Sequence, residues 1–152
     1  YNGFPQIILA SNLNIPIDIP PMGQDRMPND SWDMAENIGV NYLEYMTWID
    51  WMYNLSRYTY GFMLMNTTAS GSFALNCAYH GIPCIGDKKA DTQRLLFPDL
   101  SVGTFELGKA LLILNKLKTD KSFYNDISQK AIEIYNSEFN KQKYLNLLNK
   151  NF

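Results

Sequence analysis

Short apolar runs that alternate with helix-like segments constrain this 152-residue chain more than any other feature. "PQIILAS" (Pro5 to Ser11) is a continuous apolar run, as expected of a strand buried on both faces. "VNYLEYM" (Val40 to Met46), "GFMLMN" (Gly61 to Asn66), "IPCIG" (Ile82 to Gly86) and the brief "LSVG" (Leu100 to Gly103) read the same way. Strands alternating with helices predict βαβ units joined by right-handed crossovers. The expected fold class is therefore α/β: a Rossmann-like parallel sheet with helices on both faces, followed by C-terminal helices.

The helices announce themselves by caps and periodicity. The stretch Asn12 to Asn29, rich in Pro, Asn, Gly and Asp, reads as a long irregular connection. Ser31 is placed to cap a short helix through Ile38, with Gly39 ending it. Thr47 and Asp50 form a capping-box variant that opens a helix to about Tyr58, with Trp48, Trp51, Met52 and Leu55 spaced to pack on a core. A helix from Ser70 or Gly71 to His80 stops at Gly81, and Pro83 starts the next strand. Thr104 is placed to cap a helix striped by Leu107, Ala110, Leu111, Leu114 and Leu117. Ser122 opens another with Phe123, Ile127, Ala131 and Ile134 on one face, and a last helix carries Tyr144, Leu147 and Leu148.

Composition narrows the function classes. The length suits one domain spanning residues 1–152, and 46% apolar against 18% charged residues is a globular balance. A net charge of −2 carries no basic excess, which argues against nucleic acid as a partner. No apolar run approaches a membrane span and no leader pattern is visible, so a cytoplasmic location is expected, with the membrane face as a variant. Two cysteines make no disulfide framework and fit a reducing compartment. The chain opens on Tyr1 rather than a methionine and is expected to be part of a longer protein.

Metal and cofactor readings find little support. Cys77, His80, Cys84 and Asp87 lie close in sequence, but Cys77 falls on an apolar helix face and Cys84 inside a strand. A tetrahedral site needs four converging ligands, so no metal is expected. His80 sits at a helix C-terminus, away from the ligand edge, and makes a poor general base. No Walker loop and no Gly-x-Gly-x-x-Gly occurs, so nothing supports an NTPase or a nicotinamide cofactor.

Parallel sheets bind ligands at the carboxyl ends of their strands. That edge comprises Ser11 and Asn12, Tyr45 and Met46, Asn66 to Ser70, and Gly86 to Asp91. Its most informative part is "TTASGS" (Thr67 to Ser72), which opens a helix with small residues. A helix N-terminus presents unpaired N–H groups and about half a positive charge, and glycine lets an anion approach the backbone closely. Thr67, Thr68, Ser70, Gly71 and Ser72, with Tyr45, are thus candidate substrate-binding residues for a phosphate group. The competing reading is that Ser70 only caps the helix and Gly71 only permits a tight turn. On the phosphate reading, Gly71→Asp should cost nucleotide affinity heavily and leave folding nearly intact, whereas on the tight-turn reading stability falls instead. In "GDKKADTQ" (Gly86 to Gln93), Lys88 and Lys89 are placed to neutralise a diphosphate and Asp91 and Gln93 to meet sugar hydroxyls, with Asp87 a further candidate substrate-binding residue. A plain solvated loop is the alternative.

Gly71 at a helix start, the apolar helix "SFALNCAY", and "HGIPCIG" with Gly81 and Pro83 together resemble the C-terminal half of nucleotide-sugar glycosyltransferases of the two-domain GT-B fold. The order of elements from Val40 to Leu117 follows the same plan. The resemblance implies a domain that binds a nucleotide-diphosphate sugar as donor and needs no other cofactor. It also implies a missing N-terminal acceptor domain, with the reaction in the cleft between the two, so that this chain alone would be inactive. The retaining branch of that family carries two glutamates across this turn and helix, for the donor sugar and the ribose. Thr68 and Asn76 stand at the matching positions here. Asn76 can still bond a ribose hydroxyl, more weakly than a carboxylate would. A non-catalytic module that kept the fold is the alternative, and the absent glutamate pair favours it.

Overall fold

The computed structural model describes residues 4–12, 14–20, 40–65, 68 and 70–151. The chain opens with helix α1 (Phe4–Asn12), where a strand over Pro5 to Ser11 was expected. A short apolar run does not distinguish a buried strand from a buried helix. Pro5 lies in the first turn, where its missing N–H costs nothing, and Leu9 follows it by one helical turn; both are buried. Ser11 Oγ and Asn12 Nδ2 donate to the Ile8 carbonyl at 3.0 and 2.8 Å, closing the last turn. These two residues therefore end a helix and do not belong to a strand edge.

Strand β1 (Ile17–Ile19) lies in the stretch expected to be irregular and pairs in parallel with β2 (Val40–Tyr42), Ile17 opposite Val40. The isoleucines of "IPIDIP" alternate with Pro and Asp, a period-two signal masked by its proline-rich surroundings. Strand β2 ends at Tyr42, well before Met46. The helix expected from Ser31 to Ile38, with Gly39, lies outside the described residues. Helix α2 (Trp48–Leu55) starts where expected: Thr47 Oγ1 accepts from the Asp50 N–H at 3.2 Å and donates to Asp50 Oδ2 at 2.6 Å. A cap of this kind contributes about 1 kcal/mol. The helix stops at Leu55, short of Tyr58, and only Leu55 is fully buried; Trp48 points outward.

The second sheet holds the core. Strands β3 (Gly61–Met63), β4 (Cys84–Asp87) and β5 (Ser101–Val102) run parallel in the order β3-β4-β5. Helix α3 (Ser72–Tyr79) crosses from β3 to β4, and α4 (Asp91–Leu96) leads from β4 towards β5 through a single 3-10 turn at Pro98–Leu100. All four residues of β4 are buried, because α3, α4 and α5 (Leu107–Thr119) all pack on it. Helix α6 (Lys121–Glu138) lies against α3, α4 and α5, and α7 (Lys141–Asn151) ends the described chain. The fold is α/β and Rossmann-like, with parallel strands flanked by helices, but the strands form two small sheets and not one continuous sheet.

Two caps differ from expectation. Helix α5 starts after Glu106, and Thr104 is used elsewhere. Asp120, not Ser122, caps α6 by accepting from the Phe123 N–H at 2.9 Å. The end of α3 is as expected. Gly81 has φ of +67°, its N–H donates to the Ala78 carbonyl at 3.1 Å, and the Ile82 N–H donates to the Cys77 carbonyl at 2.9 Å. That bond pair is the Schellman arrangement, and the left-handed residue it needs is glycine.

Candidate functional site

The carboxyl edge of β3-β4-β5 gathers the turn before α3 and the loop from β4 into α4. Among the described residues no side chain caps the N-terminus of α3, and its first turn carries no acidic residue. Ser70, Ser72 and Thr68 are exposed there, and Asn76 is half-buried further along the helix. Thr67 lies outside the described residues. The turn is thus open to solvent on its serine side.

Gly71 behaves differently. Its φ is +81°, and a Cβ added to it would lie 2.7 Å from Thr92 Oγ1 and 3.1 Å from both Ala90 Cβ and Met63 Cε. The space beside Gly71 is therefore filled by protein. The left-handed backbone is needed to swing the chain from β3 into α3. An aspartate at this position would strain the backbone and strike Thr92, so the expectation that Gly71→Asp folds nearly intact does not hold.

Thr92 is the residue that sequence reasoning missed. Its N–H donates to the Ser70 carbonyl at 3.0 Å, and its hydroxyl lies within bonding distance of the Ser70 and Gly71 carbonyls. It fastens the start of α4 to the turn before α3, and so fixes the two loops of the edge against each other. No local signal marks it, since the contact spans some twenty residues.

Asp87 and Gln93 of the second loop face inward, whereas Asp91 is exposed. Asp87 is 1% exposed: Oδ1 accepts from the Lys89 N–H at 2.8 Å and Oδ2 accepts from the Thr104 hydroxyl. Gln93 is buried and donates from Nε2 to the Cys84 carbonyl at 2.8 Å. These side chains support the loop and strand from beneath and do not reach outward to a sugar. Asp91 Oδ1 accepts from Arg94 at 2.6 Å, and Arg94 also donates to the Lys88 carbonyl at 3.0 Å.

The two lysines are exposed. Lys88 lies 3.6 Å from Glu106, an ion pair with more than half of the lysine side chain in solvent. A pair so exposed is screened by solvent and exchanges readily for a stronger anion. The Glu106 carboxyl is held below its usual range, first by the hydrogen bond from the Gly103 N–H and then by the Lys88 charge. Tyr45 is exposed in the segment after β2, the strand of the other sheet.

The groups at the far end of α3 form no site for a metal. Cys77 and Cys84 are buried free thiols, and burial pushes the Cys84 thiol well up, with a hydrogen bond shared with Cys77 adding to it. No group of three or more His, Cys, Asp and Glu residues arranged for a metal ion occurs among the described residues. His80 follows the last turn of α3, packs edge-on against Tyr79, and leaves a buried Nε2 without a hydrogen-bond partner. None of the described helices is long and apolar enough to cross a membrane. No protein-family model matches the chain, and no curated protein or solved structure matches it significantly.

Proposed function

We propose that this chain is the donor-binding part of a glycosyltransferase, holding the diphosphate of a nucleotide sugar at the start of α3. The observation that carries the proposal is the first turn of α3, which no described side chain caps, placed at the carboxyl edge of a parallel sheet with Ser70 and Ser72 exposed. Its N–H groups and dipole favour an anion there. Thr68 and Ser70 would add hydroxyl donors, and Lys88 and Lys89 would come from the adjoining loop. Helix-terminal stabilisation of a leaving diphosphate is electrostatic catalysis, which needs donors already in place and no bound metal. The acceptor and any base would come from a second domain.

A second reading, a binding module without transfer chemistry, is favoured by Thr68 and Asn76 where the retaining family has glutamates. Asp87, turned inward onto Thr104, removes a further carboxylate from the edge. Calorimetric titration tests the diphosphate site that the first reading requires. Nucleoside diphosphates should bind, and the corresponding nucleosides should bind far more weakly, because the affinity resides in the phosphates. Equal affinity for both, or none for either, would remove the diphosphate site and with it the donor-binding function.

A further inference from the structure

Beyond the carboxyl edge, the C-terminal helix has a surface that the proposed function does not use. Helix α7, "KQKYLNLLNKN", carries Lys141, Lys143 and Lys150 and no acidic residue in its 11 residues. Tyr144, Leu145, Leu147 and Leu148 are 62%, 38%, 52% and 37% exposed. Three- and four-residue spacings place them on one face. A shallow groove of about 500 Å³ continues that apolar surface towards α6 and α3, with Tyr135, Phe139 and Leu75 in its walls. The charge of the chain is also divided. Residues 107–152 hold eight lysines against four carboxylates, whereas residues 1–106 hold five basic groups against eleven.

We propose that α7 lies flat in the headgroup layer of an anionic lipid bilayer, with Tyr144, Leu145, Leu147 and Leu148 towards the acyl chains and Lys141 and Lys150 at the lipid phosphates. Lys143 already bridges to Glu138 and contributes less. A short basic amphipathic helix with aromatic and leucine residues on its apolar face has the composition of an interfacial helix. Charge decides between occupants. A second copy of the chain would bring lysines against lysines, with no carboxylate on α7 to pair them. Four apolar side chains, or seven with Leu75, Tyr135 and Phe139 of the groove, are also far fewer than the roughly 20–30 residues a side of a stable protein interface. An anionic surface complements the lysines and needs no large contact area.

The test is co-sedimentation of the whole chain with vesicles of phosphatidylcholine alone and of phosphatidylcholine mixed with phosphatidylglycerol. Binding should be confined largely to the anionic vesicles and should fall as salt rises. Each lysine at such a surface contributes about fivefold in partitioning, so Lys141→Gln with Lys150→Gln should weaken binding roughly 25-fold. Leu145→Gln with Leu148→Gln should weaken it as well, with an unchanged circular dichroism spectrum, since these side chains are already part-exposed. Failure to bind anionic vesicles, equal binding to both compositions, or insensitivity to both double variants would overturn the proposal. A concentration-dependent dimer dissolved by the leucine variant would assign the face to a second copy and overturn it too.

Discussion

Replacing Gly71 by alanine should unfold the edge of the sheet before it affects any ligand. Alanine at φ of +81° pays a left-handed backbone penalty of about 1–2 kcal/mol. The added methyl group meets Thr92 Oγ1 at 2.7 Å and two carbon atoms at 3.1 Å. Overpacking of that kind adds about 1–3 kcal/mol unless Thr92 gives way, and its displacement sacrifices the hydroxyl contacts to the turn. The expected loss is roughly 2–5 kcal/mol, or on the order of 4–20 °C in Tm for a chain of this length. Urea unfolding of the wild type, Gly71→Ala, Thr92→Ala and the double variant forms a cycle that separates the two contributions. With Oγ1 removed, the alanine at position 71 should cost about 1 kcal/mol less, leaving the backbone penalty and the two carbon contacts. A Gly71→Ala chain within about 0.5 kcal/mol of wild type would refute the reasoning, because neither the backbone strain nor the contact with Thr92 would then be real.

Thr104→Val deprives a buried carboxylate oxygen of Asp87 of its hydroxyl donor, and urea unfolding should show a loss of about 1–3 kcal/mol. Tyr58 donates to Asp18 Oδ2 at 2.6 Å, and burial first, then that bond and the Asp18 charge, push its pKa up from 10.0 to about 12. The folded state therefore keeps a proton that the unfolded chain has lost in that window. This stabilisation is complete below pH 10.0 and drains away towards about pH 12, so Tyr58→Phe should flatten the alkaline limb of stability against pH. Native Cys77 and Cys84, buried and with the Cys84 thiol raised, should resist alkylation, and their labelling rate should follow global unfolding measured in urea.

What the sequence revealed, and what it hid, follows the range of the interactions involved. The β3-α3-β4 unit was legible because its punctuation is local: Gly71 before α3, Gly81 after it, and Pro83 leading into β4. The stripes of α5 and α6 were legible for the same reason, with Ala110, Leu114, Leu117, Ile127 and Ala131 buried at helical spacing. Helix α1 was mistaken for a strand because an apolar run of that length carries no period. Helix α4 was hidden by the lysine-rich loop ahead of it, and its buried face depends on Gln93, a residue ordinarily placed outside. At the candidate site, the position of α3 and the small residues at its start could be read from the sequence. The roles of Thr92, Asp87 and Thr104 could not, since each depends on a partner brought close only by the parallel pairing of β3, β4 and β5. Trp48 shows the reverse error, an aromatic residue at core spacing that faces solvent.

The most direct test of a diphosphate held at the start of α3 is residue-by-residue NMR of the labelled chain, titrated with a nucleoside diphosphate. The amide signals of Thr68, Ser70, Gly71 and Ser72 should move together with those of Gly86 to Asp91, along one saturation curve, because Thr92 joins the two loops. His80 and Gly81, at the other end of the helix, should stay in place. Shifts that gather around His80 and Gly81, or a first turn of α3 that stays unmoved at saturating diphosphate, would contradict the assignment.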